Sequence, residues 1–131
     1  MRGLRHVTVC ASSFDVSLAF YDAALRALGL VRAQEFGDEE EDAPVLEAAG
    51  FGLPDESPSF WLVSGAEPTR GAHVAFAAAS RFEVDAFYTA ALAAGGTPQQ
   101  APRRWEIYRP GYFGAVVADP DGNLIEAALD E

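Results

Sequence analysis

The chain has no lysine and only one cysteine, Cys10. A single thiol excludes an internal disulfide, so the core alone must hold the fold, which suits a reducing compartment. No stretch approaches the ~20 apolar residues that a bilayer span requires. The first ten residues lack the apolar run of a secretory signal, and a cytoplasmic protein is the expectation. Positive charge is scarce as well. Nine arginines stand against 20 acids, for a net charge of −11. Neither nucleic acid nor an anionic membrane surface favours such a partner. Five of the acids form one run, Asp38 to Asp42. It reads as a solvated loop, because adjacent acids on a loop do not converge on one cation.

Half of the 131 residues are hydrophobic. One domain is expected at this length, with roughly two-thirds of the extended-chain surface buried. Residues 4–11 read as a strand. Ser12 or Ser13 offers a helix N-cap, with Asp15 placed as in a capping box. Val16, Ala19, Phe20, Ala23, Ala24, Ala27 and Leu28 then trace one helical stripe, which Gly29 ends. Strands are expected over 30–36, 44–51 and 59–64, the last two separated by a turn rich in Gly and Pro. The pattern then restarts. A strand covers 71–78, Ser80 and Glu83 form a second capping box, and a helix runs to about Ala94. Residues 97–108 read as loop holding a short strand. Strands follow over 112–118 and 124–129. Asp119-Pro120-Asp121-Gly122-Asn123 joins them in a type I turn, with Gly122 left-handed.

The restart is a repeat. Residues 6–29 and 73–96, offset by 67, are identical at 12 of 24 positions. These include His6/His73, Val7/Val74, Phe20/Phe87, Tyr21/Tyr88 and Gly29/Gly96. Internal repetition at this scale outranks other fold signals. Two modules, 1–66 and 67–131, each strand–helix–strand–strand–strand, make up the α+β domain.

The only two histidines occupy equivalent places in the first strand of each module. A lone strand histidine is usually a packing residue, but two related by a pseudo-two-fold can meet near its axis. Neutral imidazole ligates Zn, Fe, Ni and Cu. Glu126 lies in the apolar run Leu124-Ile125-Glu126-Ala127-Ala128, where a carboxylate is costly to bury unless it is paired or metal-bound. Ile125 and Ala127 take the opposite face from Glu126. His6, His73 and Glu126 thus form a candidate three-ligand site with open positions for substrate. Trp61 is a stacking wall or a core aromatic. Arg109 can hold an anion and Tyr112 can donate a hydrogen bond, or both lie on the rim. Cys10 is read as a small buried hydrophobe.

Leu4-Arg5-His6-Val7, Ala19-Phe20-Tyr21, Ala72-His73-Val74-Ala75-Phe76 and the segment from Asp119 to Glu126 together resemble the vicinal-oxygen-chelate (VOC) superfamily of glyoxalase I, extradiol dioxygenases and bleomycin-resistance proteins. The resemblance covers nearly the whole chain. It implies paired βαβββ modules, each a curved four-stranded mixed sheet, forming a cleft around one divalent metal ion (Fe, Zn, Ni or Mn). It also implies a small-molecule substrate and a homodimer. Metal-binding members draw ligands from the first and last strands of each module. His6, His73 and Glu126 match three of those four places, Glu126 being also the catalytic candidate, and Trp61 falls on the fourth. The tyrosine that extradiol enzymes carry ten residues before the final glutamate is Val116 here. A metal-dependent lyase or isomerase of glyoxalase type is the leading expectation. A metal-free antibiotic-binding protein and an extradiol-type dioxygenase are the alternatives.

Overall fold

A computed structural model describes residues 3–37 and 47–131; the acidic run 38–42 lies outside the described residues. The order is β1 (Val7–Ala11), α1 (Phe14–Arg26), β2 (Val31–Phe36), β3 (Ala48–Gly52), β4 (Phe60–Ser64), β5 (His73–Ala77), α2 (Arg81–Ala93), β6 (Thr97–Arg104), β7 (Tyr112–Ala118) and β8 (Leu124–Asp130). The strands form two four-stranded sheets, β1-β4-β3-β2 and β5-β8-β7-β6. In each, the first strand pairs in parallel with the last and the other pairs are antiparallel. This is the expected pair of βαβββ units, with the repeat visible in the topology.

Each sheet turns one face to a helix. On β8, Ile125 and Ala127 are fully buried; on β4, Phe60 and Leu62 are. Against them α1 sets Phe20, Tyr21, Ala24 and Leu25, and α2 sets Val84, Phe87 and Ala91. The helices pack on each other, and the Phe60 and Phe76 rings meet across the modules at 5.5 Å. Gly96 lets α1 approach the second sheet, because a Cβ there would stand 2.7 Å from Phe20 and 2.5 Å from Val117.

The junction is polar and fully paired. Asn123, with no exposure, donates to the Thr69 and Asp119 oxygens and accepts from the Ala72 N–H. Tyr21 of α1 donates its hydroxyl to Asp119 Oδ2 at 2.5 Å. Ser12 donates both its N–H and its hydroxyl to Asp121. The β7–β8 turn is therefore bolted to the first module, and β8 leaves it in a fixed direction.

Two local expectations change. Of the two serines offered as N-cap of α1, Ser13 takes the place, with no side-chain cap bond; the Ser12–Asp15 capping box does not form, because the Ser12 hydroxyl is engaged by Asp121. At α2 the capping pair forms, Ser80 accepting from the Glu83 N–H. The segment read as loop with a short strand is the eight-residue β6. The turn at 119–123 forms as expected, with Gly122 at φ 90°.

Candidate functional site

The site forms on the face of the second sheet that points away from α2. In parallel pairing His73 stands beside Leu124 and Ala75 beside Glu126. His73 and Glu126 therefore share that face one pleat apart. His73 Nε2 lies 2.7 Å from Glu126 Oε1. The other oxygen, Oε2, accepts from the Tyr112 hydroxyl at 2.5 Å. Glu126 is 8% exposed, and both its oxygens are held, so the cost of burying it is offset by charge-assisted hydrogen bonds. The His73 side chain keeps 49% of its exposure. Burial, followed by the hydrogen bond to Glu126, pushes the Tyr112 phenol up to about 12. It stays a neutral donor at any physiological pH.

The ladder accounts for the reach of Tyr112. Val116 stands directly opposite Glu126, and Tyr112 opposite Asp130. Tyr112 lies two pleats from Val116 on the same face, and its long side chain returns along the strand to the carboxylate. A phenol thus reaches Glu126 from position 112, across the strand pair from Asp130.

A cavity of about 220 Å³ opens beside the pair, lined also by Gln99 and Gln100 of β6 and by Trp105 and Tyr108 of the following loop. Sequence reasoning missed these four. Pro98 and Pro102, set among mostly polar residues, hide a strand on which no residue is buried. The ladder to β7 is irregular between Pro98 and Gln100 and again before Arg103, and such bulges re-aim side chains. The available signal was the aromatic pair Trp105 and Tyr108 just after the strand.

The remaining candidates lie elsewhere. Trp61 pairs with Thr8 as Glu126 pairs with Ala75, the residue 67 places on from Thr8, so Trp61 is the structural counterpart of Glu126 in the first module. Its indole lies flat across Gly50, where a Cβ would come within 2.8 Å of the ring. It stacks on Phe36 at 5.9 Å and 14°. Arg109 is on the surface, 3.4 Å from Asp130, and does not line the cavity. Cys10 is half-buried at the junction, its N–H bonded to the Thr69 hydroxyl. His6 is exposed immediately before β1. Among the described residues of one chain, no group of three His, Cys, Asp or Glu side chains is placed to hold a metal ion. A single chain unites His73 and Glu126 but does not add His6 to them.

The donor chemistry of His73 and Glu126, one imidazole and one buried carboxylate on a common face, fits a divalent transition metal. Two donors are fewer than the three that an open metal site normally uses, so the fit within one chain is to half a site.

Comparison with known proteins places these features in context. The family model described as the Glyoxalase/Bleomycin resistance protein/Dioxygenase superfamily matches residues 3–127. Among solved structures, a glyoxalase/bleomycin resistance protein from Albidiferax ferrireducens T118 is 28% identical with a TM-score of 0.75, covering 95% of this chain and 97% of that one. A mutant of the fosfomycin resistance protein FosX from Listeria monocytogenes, complexed with Mn(II) and 1S,2S-dihydroxypropylphosphonic acid, is 20% identical with a TM-score of 0.66, covering 97% and 91%. Glyoxalase I from Zea mays is 17% identical with a TM-score of 0.64; the match covers 95% of this chain and 43% of that one. The last two show the fold alone. No curated protein matches the sequence.

Proposed function

Because the chain belongs to the glyoxalase/bleomycin resistance/dioxygenase superfamily, we propose that it is a divalent-metal-dependent enzyme acting on a small oxygen-rich molecule, a lyase or isomerase of glyoxalase type. The observation that carries the proposal is Glu126, buried beside a cavity, with an imidazole on one oxygen and a phenol on the other. A carboxylate of purely structural use has no need of an exposed histidine or an adjoining cavity.

His73 and Glu126 would hold the metal. His6 of a second copy would complete the set. β1 and β5 are edge strands of separate sheets among the described residues, and a homodimer that set β1 beside β5 of its partner would bring the two histidine positions together. Isologous pairing of this kind closes in one step. When bound, the metal supplies Lewis-acid polarisation of substrate oxygens. Glu126 would take and return a substrate proton on leaving the metal during turnover. Tyr112 keeps Oε2 occupied and so directs Oε1 toward the metal and the substrate. Trp61, from the first-module face, would form an aromatic wall across such a cleft, and Arg109 stands outside it.

Redox-neutral chemistry is favoured over ring cleavage. Both histidines of the chain are assigned to the metal, which leaves none to shuttle protons beside a catechol. Tyr112 supplies a phenol near the carboxylate, but one committed to Oε2. The test is reconstitution with Fe(II), Mn(II), Ni(II) or Zn(II), followed by panels of dicarbonyl–thiol adducts, α-hydroxycarbonyls and catechols. Turnover without oxygen uptake is expected. Rapid oxygen uptake with a catechol would contradict the redox-neutral reading. Ligand binding with no turnover under any metal would favour the antibiotic-binding alternative.

A further inference from the structure

The cavity beside Glu126 has a constructed far wall. Trp105 is held from three directions. Its backbone N–H donates to the Tyr112 carbonyl at 2.7 Å. Its indole N–H points to the Gly114 carbonyl at 3.4 Å. The Arg103 guanidinium, which does not line the cavity, covers the ring 3.7 Å from its centroid. Tyr108 is tied to the same unit, its N–H donating to the Trp105 carbonyl at 3.0 Å and its ring packing 5.4 Å from that of Tyr112. The wall therefore shares Tyr112 with the carboxylate, so the aromatic end and the reactive end are positioned together.

Three properties define what fits. The volume, about 220 Å³, lies below the roughly 300–1,000 Å³ of sites for drug-sized ligands, so the occupant is small. The wall offers two aromatic rings, Trp105 and Tyr108, tilted 45° to each other, and either ring favours a planar partner in offset or edge contact. Its outer face already carries a cation, and that cation draws ring electron density away from the inner face and weakens it as a seat for a second cation. Gln99 and Gln100 supply both amide donors and carbonyl acceptors, and neither carboxamide has a hydrogen-bond partner among the described residues. From these observations we propose that Gln100, Trp105 and Tyr108 are the specificity-determining residues of the site, selecting a small, uncharged, planar molecule with conjugated carbonyl or hydroxyl oxygens. This rests on the proposed function only for the location of the reacting end. The wall itself needs no metal.

The test uses the full chain, chelator-stripped and metal-loaded in parallel, with four probes of one size. Benzamide is planar and neutral, benzamidine is its cation, benzoate its anion, and cyclohexanecarboxamide its non-planar counterpart. Binding is read from the two indole N–H resonances in ¹⁵N spectra, assigned with Trp61→Phe. Benzamide should move the Trp105 resonance in stripped protein and bind about 3- to 10-fold more tightly than cyclohexanecarboxamide, the margin expected for an aromatic contact. Trp105→Leu and Tyr108→Leu, the latter at an exposed position, should each remove most of that margin. Trp105→Phe should restore part of it. Equal binding of the saturated amide, preference for benzamidine, or a shift at Trp61 alone would overturn the proposal. If the chain proves to hold no metal while benzamide still selects Trp105, the specificity wall stands and the metal reading falls. If metal binds and benzamide does not select Trp105, the reverse holds.

Discussion

Tyr21→Phe removes one hydroxyl, and its effect can be worked from the junction. Tyr21 has no exposure and Asp119 only 4%. Asp119 accepts four hydrogen bonds. Oδ1 takes the N–H groups of Asp121 and Asn123, both at 2.9 Å, while Oδ2 takes Asn123 Nδ2 at 3.0 Å and the Tyr21 hydroxyl at 2.5 Å. Losing the phenol leaves three, so the carboxylate is weakened and not orphaned. A hydrogen bond to a charged group contributes about 1.5–3 kcal/mol. The Phe20 edge and the Phe60 ring, each 4.9 Å from the Tyr21 ring, still pack against phenylalanine, so no cavity opens. We expect a loss of about 2 kcal/mol, or a fall in Tm of roughly 6–10 °C for a domain of this size. Asp119→Ala should cost more, because it strands a buried hydroxyl and unties two backbone amides at the turn. Urea unfolding of both variants at neutral pH, with m-values compared, measures the pair. A Tyr21→Phe protein within about 0.5 kcal/mol of wild type, the usual range for surface substitutions, would refute the claim that this bond fastens the modules.

The phenol pKa values give a pH dependence. Tyr112 is raised to about 12 and Tyr21 is raised further, burial being the largest cause in each. A raised folded pKa adds stability below the unfolded value of about 10 and loses it as pH climbs through the folded value. Wild type should therefore lose stability more steeply than Tyr21→Phe between about pH 10 and 12, as denaturation at stepped alkaline pH would show; parallel curves would contradict this. Tyr112→Phe frees Glu126 Oε2 and should weaken divalent-metal affinity about 10- to 100-fold, as loss of an outer partner of a metal ligand does, with little change in Tm. Isothermal titration separates that outcome from unchanged affinity, which would remove Tyr112 from the site. Gly50→Ala places a Cβ 2.8 Å from the Trp61 ring and should tip the indole off Phe36, changing its fluorescence. An unaltered emission spectrum would show that the indole does not lie on Gly50.

The fold was legible because its repeat is written in residues that the core selects. His6/His73 marks equivalent strand starts, and Phe20/Phe87 fills the same place under each sheet. Glu126 was legible because charge in an apolar strand is expensive. What escaped detection lay where burial imposes no pattern. β6 is an edge strand with no buried residue, so neither alternation nor apolar content announced it, and its bulges depend on pairing with β7. The link from Tyr112 to Glu126 was hidden for another reason: it spans 14 residues and joins adjacent strands out of register. The choice between Ser12 and Ser13 as cap stayed open because sequence spacing cannot show that Asp121, 109 residues away, claims the Ser12 hydroxyl. The separation of His6 from His73 within one chain follows from helices packing between the modules, an arrangement that periodicity does not encode.

The central claim, that His73 and Glu126 hold a divalent metal with a second copy completing the site, meets its most direct test in metal stoichiometry measured alongside oligomeric state. Wild type, His6→Ala, His73→Ala and Glu126→Gln are loaded with Mn(II), Ni(II) or Zn(II), freed of excess by gel filtration with light-scattering detection, and analysed for bound metal. The account predicts about one ion per chain in a dimeric wild type, with each of the three substitutions losing most of the metal while the protein stays folded. A metal-replete wild type that retains none, or an ion that persists in Glu126→Gln, would contradict it.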